Sequence, residues 1–333
     1  PNVATHIECL ETSINTEGFY RSYALGFGIP ITGENGWPKA SPAATRMALA
    51  DFLLGNYAAL TYSFDGIRWA RASFPEFREV ALIRREMAGA RYPQPQLGLL
   101  LPDSTLYSSR PANFFSIEKL PSLEFTLEQM TCPFVGVSSE LPRLDKIRVL
   151  LDTGTNRVFS PQLKRELAAF LRRGGVFVGF PESGKYTRDG SAGFLESLKL
   201  PAEPGEYAVG SGKVILLPGV KEQSCDSLWK LFRRLGLKSP VAIDVPVCNA
   251  LFEKGDTRYL VLFDKRRELV GSFFRESTHD AETAKLPALE LTVAPEFEFS
   301  EVRDAVTNAP YPVRDGRIRV TLPPARFLVL RFE

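Results

Sequence analysis

The sequence predicts an α/β chain in three parts: the last strands and helices of an incomplete β/α barrel, a doubly wound flavodoxin-like sheet, and a small β-sandwich. Three observations carry this. Residues 1–90 alternate strand and helix patterns, which implies a parallel sheet. A second alternation, opened by the apolar run Leu97 to Leu101, fills residues 97–238. From residue 239 to 333 only short strands rich in β-branched and aromatic residues remain, punctuated by Pro, Gly and Asp.

In the first part, Val3 to Cys9 reads as a strand, Gly18 to Leu25 as a short helix and Gly28 to Thr32 as the next strand. A helix follows over Ser41 to Leu54, with Ser41 as N-cap, Pro42 first and Ala44, Met47, Ala48 and Phe52 at helical spacing. Tyr57 to Phe64 is strand-like, and Phe74 to Ala88 is a helix with Phe77, Val80, Ala81 and Arg84 in register. Three such units do not close a barrel of eight, so the alternatives are the end of a barrel and a small three-layer domain. The start at Pro1, close to a strand-like segment, points to a missing upstream portion.

Arg91 to Gln96 reads as a proline-punctuated linker. Beyond it, strands are expected at Leu97 to Leu101, Phe134 to Val137, Lys146 to Leu151 and Val176 to Phe180, with a helix at Leu123 to Met130. The helix at Ser160 to Arg173 has the fullest punctuation: Ser160 as cap, Pro161 first, Leu163, Leu167, Phe170 and Leu171 inside, and Gly174-Gly175 as the stop. Two β segments (Tyr207 to Val209, Lys213 to Leu217) and a helix at Ser227 to Leu235 complete the part. The sandwich strands are expected at Ala242 to Val247, Tyr259 to Asp264, Leu289 to Val293, Arg317 to Leu322 and Phe327 to Arg331.

Composition narrows the function classes. Apolar residues make up 44% and charged residues 24%, and the formal charge is +2, so nothing in the electrostatics favours nucleic acid or a membrane surface as partner. No apolar run approaches the roughly 20 residues of a membrane span. Cys9, Cys132, Cys225 and Cys248 are widely spaced and only His6 and His279 accompany them, so no metal site is expected. They read as buried small hydrophobes in a reducing compartment, favouring the cytoplasm. Gly174-Gly175, Gly210-Ser211-Gly212 and Pro181 to Gly184 match no phosphate or dinucleotide pattern, and no cofactor is expected. The Lys265-Arg266-Arg267 run reads as a solvated turn.

The strongest catalytic candidate is Glu34, at the end of the second strand between Gly33 and Gly36; barrel enzymes take their reactive groups from such strand ends. Asn35 is suited to orienting the carboxylate or a sugar hydroxyl, and Trp37 offers a flat apolar face for a sugar ring. Glu8 and Glu11 close the preceding strand, and one of them reaches the same mouth; Tyr62, Phe64 and Asp65 close the following one. The competing readings are a turn residue for Glu34, surface ion pairs for Glu8 and Glu11 (Arg21 is near), and a core aromatic for Tyr62. Asp152-Thr153-Gly154-Thr155 has the Asp-Thr-Gly of aspartic proteases, but α/β surroundings and a single copy argue against that chemistry.

At these residues the chain resembles a known family. The order of parts is similar to the C-terminal half of glycoside hydrolase family 42 β-galactosidases, which have a β/α barrel, a flavodoxin-like trimerisation domain and a small β domain. The segments that carry the likeness are Phe74-Pro75-Glu76-Phe77-Arg78-Glu79-Val80, Leu97-Gly98-Leu99-Leu100-Leu101, the stretch Leu167 to Val178, Gly212 to Pro218 and Arg258 to Phe263. A local likeness joins Glu8-Cys9-Leu10-Glu11 and Gly33-Glu34-Asn35 to the late-barrel segments of family 14 β-amylases.

The first resemblance implies a retaining, exo-acting glycosidase with Glu34 as nucleophile, a carbohydrate substrate and a homo-oligomer, a trimer by analogy. The second implies an inverting enzyme with Glu34 as base. Carboxylate spacing separates them, about 5–5.5 Å for retention against about 6.5–9.5 Å for inversion. The acid would stand on an earlier strand, so the chain alone is expected to be inactive. The string Gly33-Glu34-Asn35-Gly36 departs from the usual family 42 nucleophile segment, which bears on galactose preference. The alternatives are a non-catalytic assembly or carbohydrate-binding protein and, more weakly, an amidotransferase-like role for residues 97–220. The latter needs a cysteine nucleophile with a histidine nearby, which Cys132 and Cys225 lack in sequence.

Overall fold

The computed structural model describes residues 5–8, 31–35, 46, 49, 53–54, 59–62, 74–101, 132–152, 156–219, 223, 225–264 and 285–333. The expected helices at 18–25 and 123–130, and the run 265–267, lie outside these residues.

The first sheet has three parallel strands, β1 (Thr5–Glu8), β2 (Ile31–Asn35) and β3 (Ala59–Tyr62), with β2 in the centre. The second strand extends beyond the expected Thr32. Gly33 and Glu34 belong to it because each is laddered on both sides, Gly33 to Ile7 and Leu60, Glu34 to Glu8 and Thr61. Pairing with two neighbours outweighs glycine's poor strand propensity, which is a context-dependent term of about 1 kcal/mol.

One helical segment lies between β2 and β3, and another follows β3. Arg46, Leu49, Leu53 and Leu54 are helical, and Leu49, Leu53 and Leu54 are buried; the expected face of Ala44, Met47, Ala48 and Phe52 lies outside the described residues. Helix α1 (Phe74–Glu86) buries Val80 and Ile83, followed by Met87, while Ala81 is exposed and Arg84 only half-buried. The helix is therefore rotated from the expected face, which Leu82 and Ile83 left ambiguous because apolar residues continue around the helix there.

The second sheet has six strands in the order β5-β4-β6-β8-β11-β10: β4 is Leu97–Leu101, β5 Phe134–Ser138, β6 Val149–Asp152, β8 Val176–Gly179, β10 Gly205–Val209 and β11 Gly212–Leu216. The first five are parallel and β10 is an antiparallel edge. In chain order the parallel strands run 2-1-3-4-5, the order of flavodoxin-type sheets. Both faces are covered. Leu97, Leu99, Val149 and Val178 pack with Leu228 and Phe232 of α4 (Cys225–Arg234), while Leu100, Leu150, Phe177 and Val214 pack with Leu163, Leu167 and Phe170 of α2 (Pro161–Arg172). Double coverage is why these strands read as continuous apolar runs.

Helix α2 has the ends its punctuation predicts. Ser160 Oγ accepts the Leu163 amide at 3.1 Å, and Gly174 takes φ 91° after the last turn. A short helix α3 (Phe194–Ser197) and the paired strands β7 (Val158–Phe159) and β9 (Tyr186–Thr187) were not legible in the sequence. Phe159, Phe177 and Phe194 contact one another at centroid distances of 6.4, 5.4 and 5.3 Å, holding this excursion against the sheet.

The last part forms two four-stranded sheets. One has the order β12-β15-β18-β17, with β12 at Val241–Ile243, β15 at Leu289–Pro295, β18 at Arg317–Leu322 and β17 at Val313–Arg314. The other has the order β13-β14-β19-β16, with β13 at Cys248–Lys254, β14 at Thr257–Phe263, β19 at Phe327–Phe332 and β16 at Val302–Asp304. Leu251, Leu260, Leu262, Leu330 and Phe332 from one meet Val241, Leu291, Val293, Ile318 and Val320 from the other in a single core.

The expected strand at 242–247 stops at Ile243. Asp244 leaves the sheet and accepts the Thr292 amide at 2.7 Å, Pro246 has no N–H to ladder, and the chain crosses to begin β13.

Candidate active site

Glu8, Asn35 and Tyr62 are the last residues of β1, β2 and β3, so all three strands present their C-terminal ends together. The register puts Glu8, Glu34 and Thr61 at one level and Asn35 and Tyr62 at the next. Neighbouring parallel strands lie about 4.8 Å apart, so two glutamate backbones stand side by side at the end of this sheet. The sheet thus brings Glu8, Glu34, Asn35 and Tyr62 together. Glu11 and Trp37, with Phe64 and Asp65, lie outside the described residues. Thr61 was not singled out in the sequence; its only signal is the position one residue before Tyr62.

Elsewhere, Asp152 and the cysteines Cys132 and Cys248 are absorbed by structure. Asp152, at the end of β6, is fully buried and accepts hydrogen bonds from Asn156 Nδ2 (2.5 Å) and from the Ser183 hydroxyl. Asn156 Nδ2 also donates to Leu100 O (2.9 Å), and Ser183 Oγ accepts the Phe180 amide (2.9 Å). The Asp-Thr-Gly aspartate therefore ties together the ends of β4, β6 and β8, as buried carboxylates with local donors commonly do.

Burial pushes the Cys132 thiol up to about 12, so it stays protonated and non-nucleophilic at neutral pH. Cys248 is likewise buried, in keeping with the expectation of small hydrophobes. Among the described residues no group of three or more His, Cys, Asp or Glu is arranged to hold a metal ion, and no helix is long and apolar enough to cross a membrane.

No protein-family model matches the chain, and no curated protein matches it. Solved structures do. The chain is similar to a β-galactosidase from Bacillus circulans sp. alkalophilus, with TM-score 0.68 and 13% identity over 97% of this chain and 59% of that one. It is similar to a catalytic mutant of a GH42 β-galactosidase from G. stearothermophilus, with TM-score 0.66 and 12% identity over 95% and 56%. An exo-carrageenase of GH42 from Bacteroides ovatus matches with TM-score 0.62 and 10% identity over 95% and 43%. At these identities the likeness is one of fold. The structural neighbours are GH42 β-galactosidases and related glycosidases, and this chain spans less than two thirds of their length.

Proposed function

We propose that this chain is part of a retaining, exo-acting glycoside hydrolase of β-galactosidase type, with Glu34 as the nucleophile. The observation that carries the reading is the register: Glu34 stands near the C-terminal end of the central strand of a parallel sheet, in a chain whose fold is similar to part of a GH42 β-galactosidase over 95% of its own length. In this mechanism the Glu34 carboxylate attacks the anomeric carbon while the glycosidic oxygen leaves with a proton from an acid. Water, deprotonated by that same group, then releases the sugar from Glu34. Glu8, beside Glu34 in register, serves substrate hydroxyls, as do Asn35 and Tyr62 one level on and Glu11, while Trp37 offers its flat face to a sugar ring.

A carboxylate cannot both attack the sugar and protonate the leaving oxygen. By the resemblance the acid belongs to a barrel strand preceding β1, so residues 1–333 by themselves are inactive. The doubly wound sheet serves self-association; the inert Cys132 thiol supports a structural role for it. The Gly33-Glu34-Asn35 string supports a second mechanism, inversion with Glu34 as base.

The test is hydrolysis of an aryl β-galactoside by the complete natural protein, followed by NMR of the first product released. Product with the substrate's own anomeric configuration is expected. The opposite anomer would replace nucleophile by base at Glu34, and no hydrolysis of any aryl glycoside in a broad panel would overturn the enzyme reading.

A further inference from the structure

Among the described residues, three arginines on the sandwich, Arg314, Arg317 and Arg319, form no ion pair. Arg314-Asp315-Gly316-Arg317 is a two-residue hairpin turn between β17 and β18, in which Asp315 takes φ 51° and Gly316 φ 70°, as a type I′ turn requires. That turn sets Arg314 directly opposite Arg317, and the sheet sets Arg319 opposite Thr292. β18 alternates exposed and buried residues, so Arg317 and Arg319 both stand on the outer face, away from the core side of Ile318 and Val320. With Thr292, Pro312 and Asp315 they line a cleft of about 460 Å³. That is within the roughly 300–1,000 Å³ usual for small-ligand sites.

The charges in this cleft are not balanced from within. Among the described residues Arg314, Arg317 and Arg319 make no hydrogen bond or ion pair, whereas Arg258, Arg303 and Arg331 of the facing sheet each meet a glutamate. Asp315 is the one acid in the lining, set against three arginines and paired with none of them, and Asp244 and Glu290 hydrogen-bond to the Thr292 amide and the Thr321 hydroxyl rather than to these arginines. Like charges directly opposite one another across an antiparallel pair are destabilising, so the Arg314–Arg317 pair works against strand pairing. Guanidinium groups match the two-oxygen edge of sulfate and carboxylate, and they are less strongly hydrated than ammonium groups.

We propose that this cleft binds an oxyanion-bearing saccharide, a sulfate ester or a uronate, with Arg317 and Arg319 gripping the anionic substituent and Arg314 adding charge at the rim. The choice of a saccharide rests on the glycosidase reading; the anion site rests on the arginines alone. Thr292 supplies a hydroxyl beside them for a sugar oxygen. The site lies on the outer face of the sandwich and is built by strands other than those that carry Glu34.

The test is calorimetric titration of the full chain with five probes: a sulfated dextran oligosaccharide, an oligogalacturonate, the unsulfated dextran oligosaccharide, inorganic sulfate and a DNA oligonucleotide. One of the two anionic saccharides is expected to bind at least about 10-fold tighter than both the neutral saccharide and inorganic sulfate, and to weaken steeply as added salt shortens the screening length. The Arg317→Ala/Arg319→Ala variant should lose about 10-fold or more in affinity, while Arg165→Ala/Arg173→Ala, which removes the same charge from the second part of the chain, should not. All four substituted residues are exposed, so melting temperatures should stay unchanged.

Equal affinity for the neutral saccharide, inorganic sulfate binding as tightly as the anionic saccharides, tighter binding of a DNA oligonucleotide, or an unaltered Arg317→Ala/Arg319→Ala variant would each overturn the proposal. Glycoside hydrolysis is read separately on the complete protein. Binding without hydrolysis leaves the cleft standing, and hydrolysis without binding removes only the cleft.

Discussion

Arg46 and Glu76 meet through one short contact, Arg46 Nη2 to Glu76 Oε1 at 2.6 Å, with side chains only 11% and 6% exposed. Among the described residues, Arg46 Nε and Glu76 Oε2 have no hydrogen-bond partner. Such a pair adds little net stability, but removing one member strands the other's charge, at a cost of about 3–5 kcal/mol. Glu76→Ala is therefore expected to lower the denaturant midpoint sharply, and Arg46→Met/Glu76→Leu to recover most of the loss. Equal destabilisation by both variants would show that packing, and not the stranded charge, sets the effect.

One turn along, burial raises the Glu79 carboxyl above its ordinary value of 4.5, against the opposing pull of Arg326 and Arg46. A raised acid binds its proton more tightly in the folded state, so this contribution favours folding at low pH and is lost as pH rises from about 4.5 through the folded value. Glu79→Gln should remove that loss, making the protein more stable at pH 7 with little change at pH 4. Chemical denaturation at the two pH values checks it; an unchanged difference between them contradicts it. In the sequence these two glutamates read as part of a helix and of a segment similar to family 42, with no sign of a charge partner. Their partners are 30 residues away on the helical segment around Arg46 and across the chain at Arg326, distances that no local pattern reports.

At the scale of elements, α2 and its neighbours show what punctuation reveals. Ser160, Pro161 and Gly174 are capping residues whose physics is local, so both helix ends were legible. The Gly210-Ser211-Gly212 stretch matched no ligand motif, and the structure gives its purpose. Gly210 takes φ 60° in the β10–β11 turn, and a Cβ on Gly212 would stand 2.4 Å from both Gly175 O and Leu171 O. Both obstacles are backbone, so Gly212→Ala must push β11 away from the end of α2. A loss of about 2 kcal/mol or more in unfolding free energy is expected, in the range of overpacked core substitutions. Gly255→Ala, where the strain is only that of φ 59° with open space around it, should cost less.

Strand β13 was missed for a related reason. Cys248-Asn249-Ala250-Leu251-Phe252-Glu253-Lys254 has mixed polarity, and its strand character comes from seven ladder partners on β14 that lie beyond a turn. The barrel-type strands were legible as an alternation, yet the level of Glu34 was not, because register between parallel strands is set by residues some 25 positions apart. The arginine cleft left no trace as a motif, since its members face one side only once the hairpin has formed.

Over the whole molecule, the sheet β13-β14-β19-β16 is the element that joins the parts. Its Leu260, Leu262 and Leu330 face the sandwich core, while Phe252, Tyr259, Val261 and Val329 pack with Leu49, Leu53, Val80, Ile83 and Met87. Burial on both faces explains the unbroken apolar run Tyr259 to Phe263. Polar contacts reinforce this junction: Arg331 Nη1 meets Glu86 Oε1 at 3.0 Å, the Tyr259 hydroxyl donates to the same oxygen at 3.2 Å, and Arg91 pairs with Glu253 through the backbone. Phe252→Ala, at a fully buried position, is expected to cost about 3–5 kcal/mol. It should also raise hydrogen exchange in α1 while leaving β4 and β6 protected; protection lost equally throughout would contradict a junction confined to this sheet.

Glu34 is the residue on which the proposed catalysis depends, and the most direct measurement is kcat for aryl-glycoside hydrolysis by the complete natural protein carrying Glu34→Gln, with melting temperature as the fold control. The substitution keeps the shape of the side chain and removes its nucleophilic charge. A folded variant with kcat reduced by at least about 1,000-fold is the expected result, the scale seen when one member of a catalytic unit is deleted. A folded variant turning over at near the original rate would contradict the assignment of Glu34 and, with it, the reading of this sheet as a catalytic barrel end.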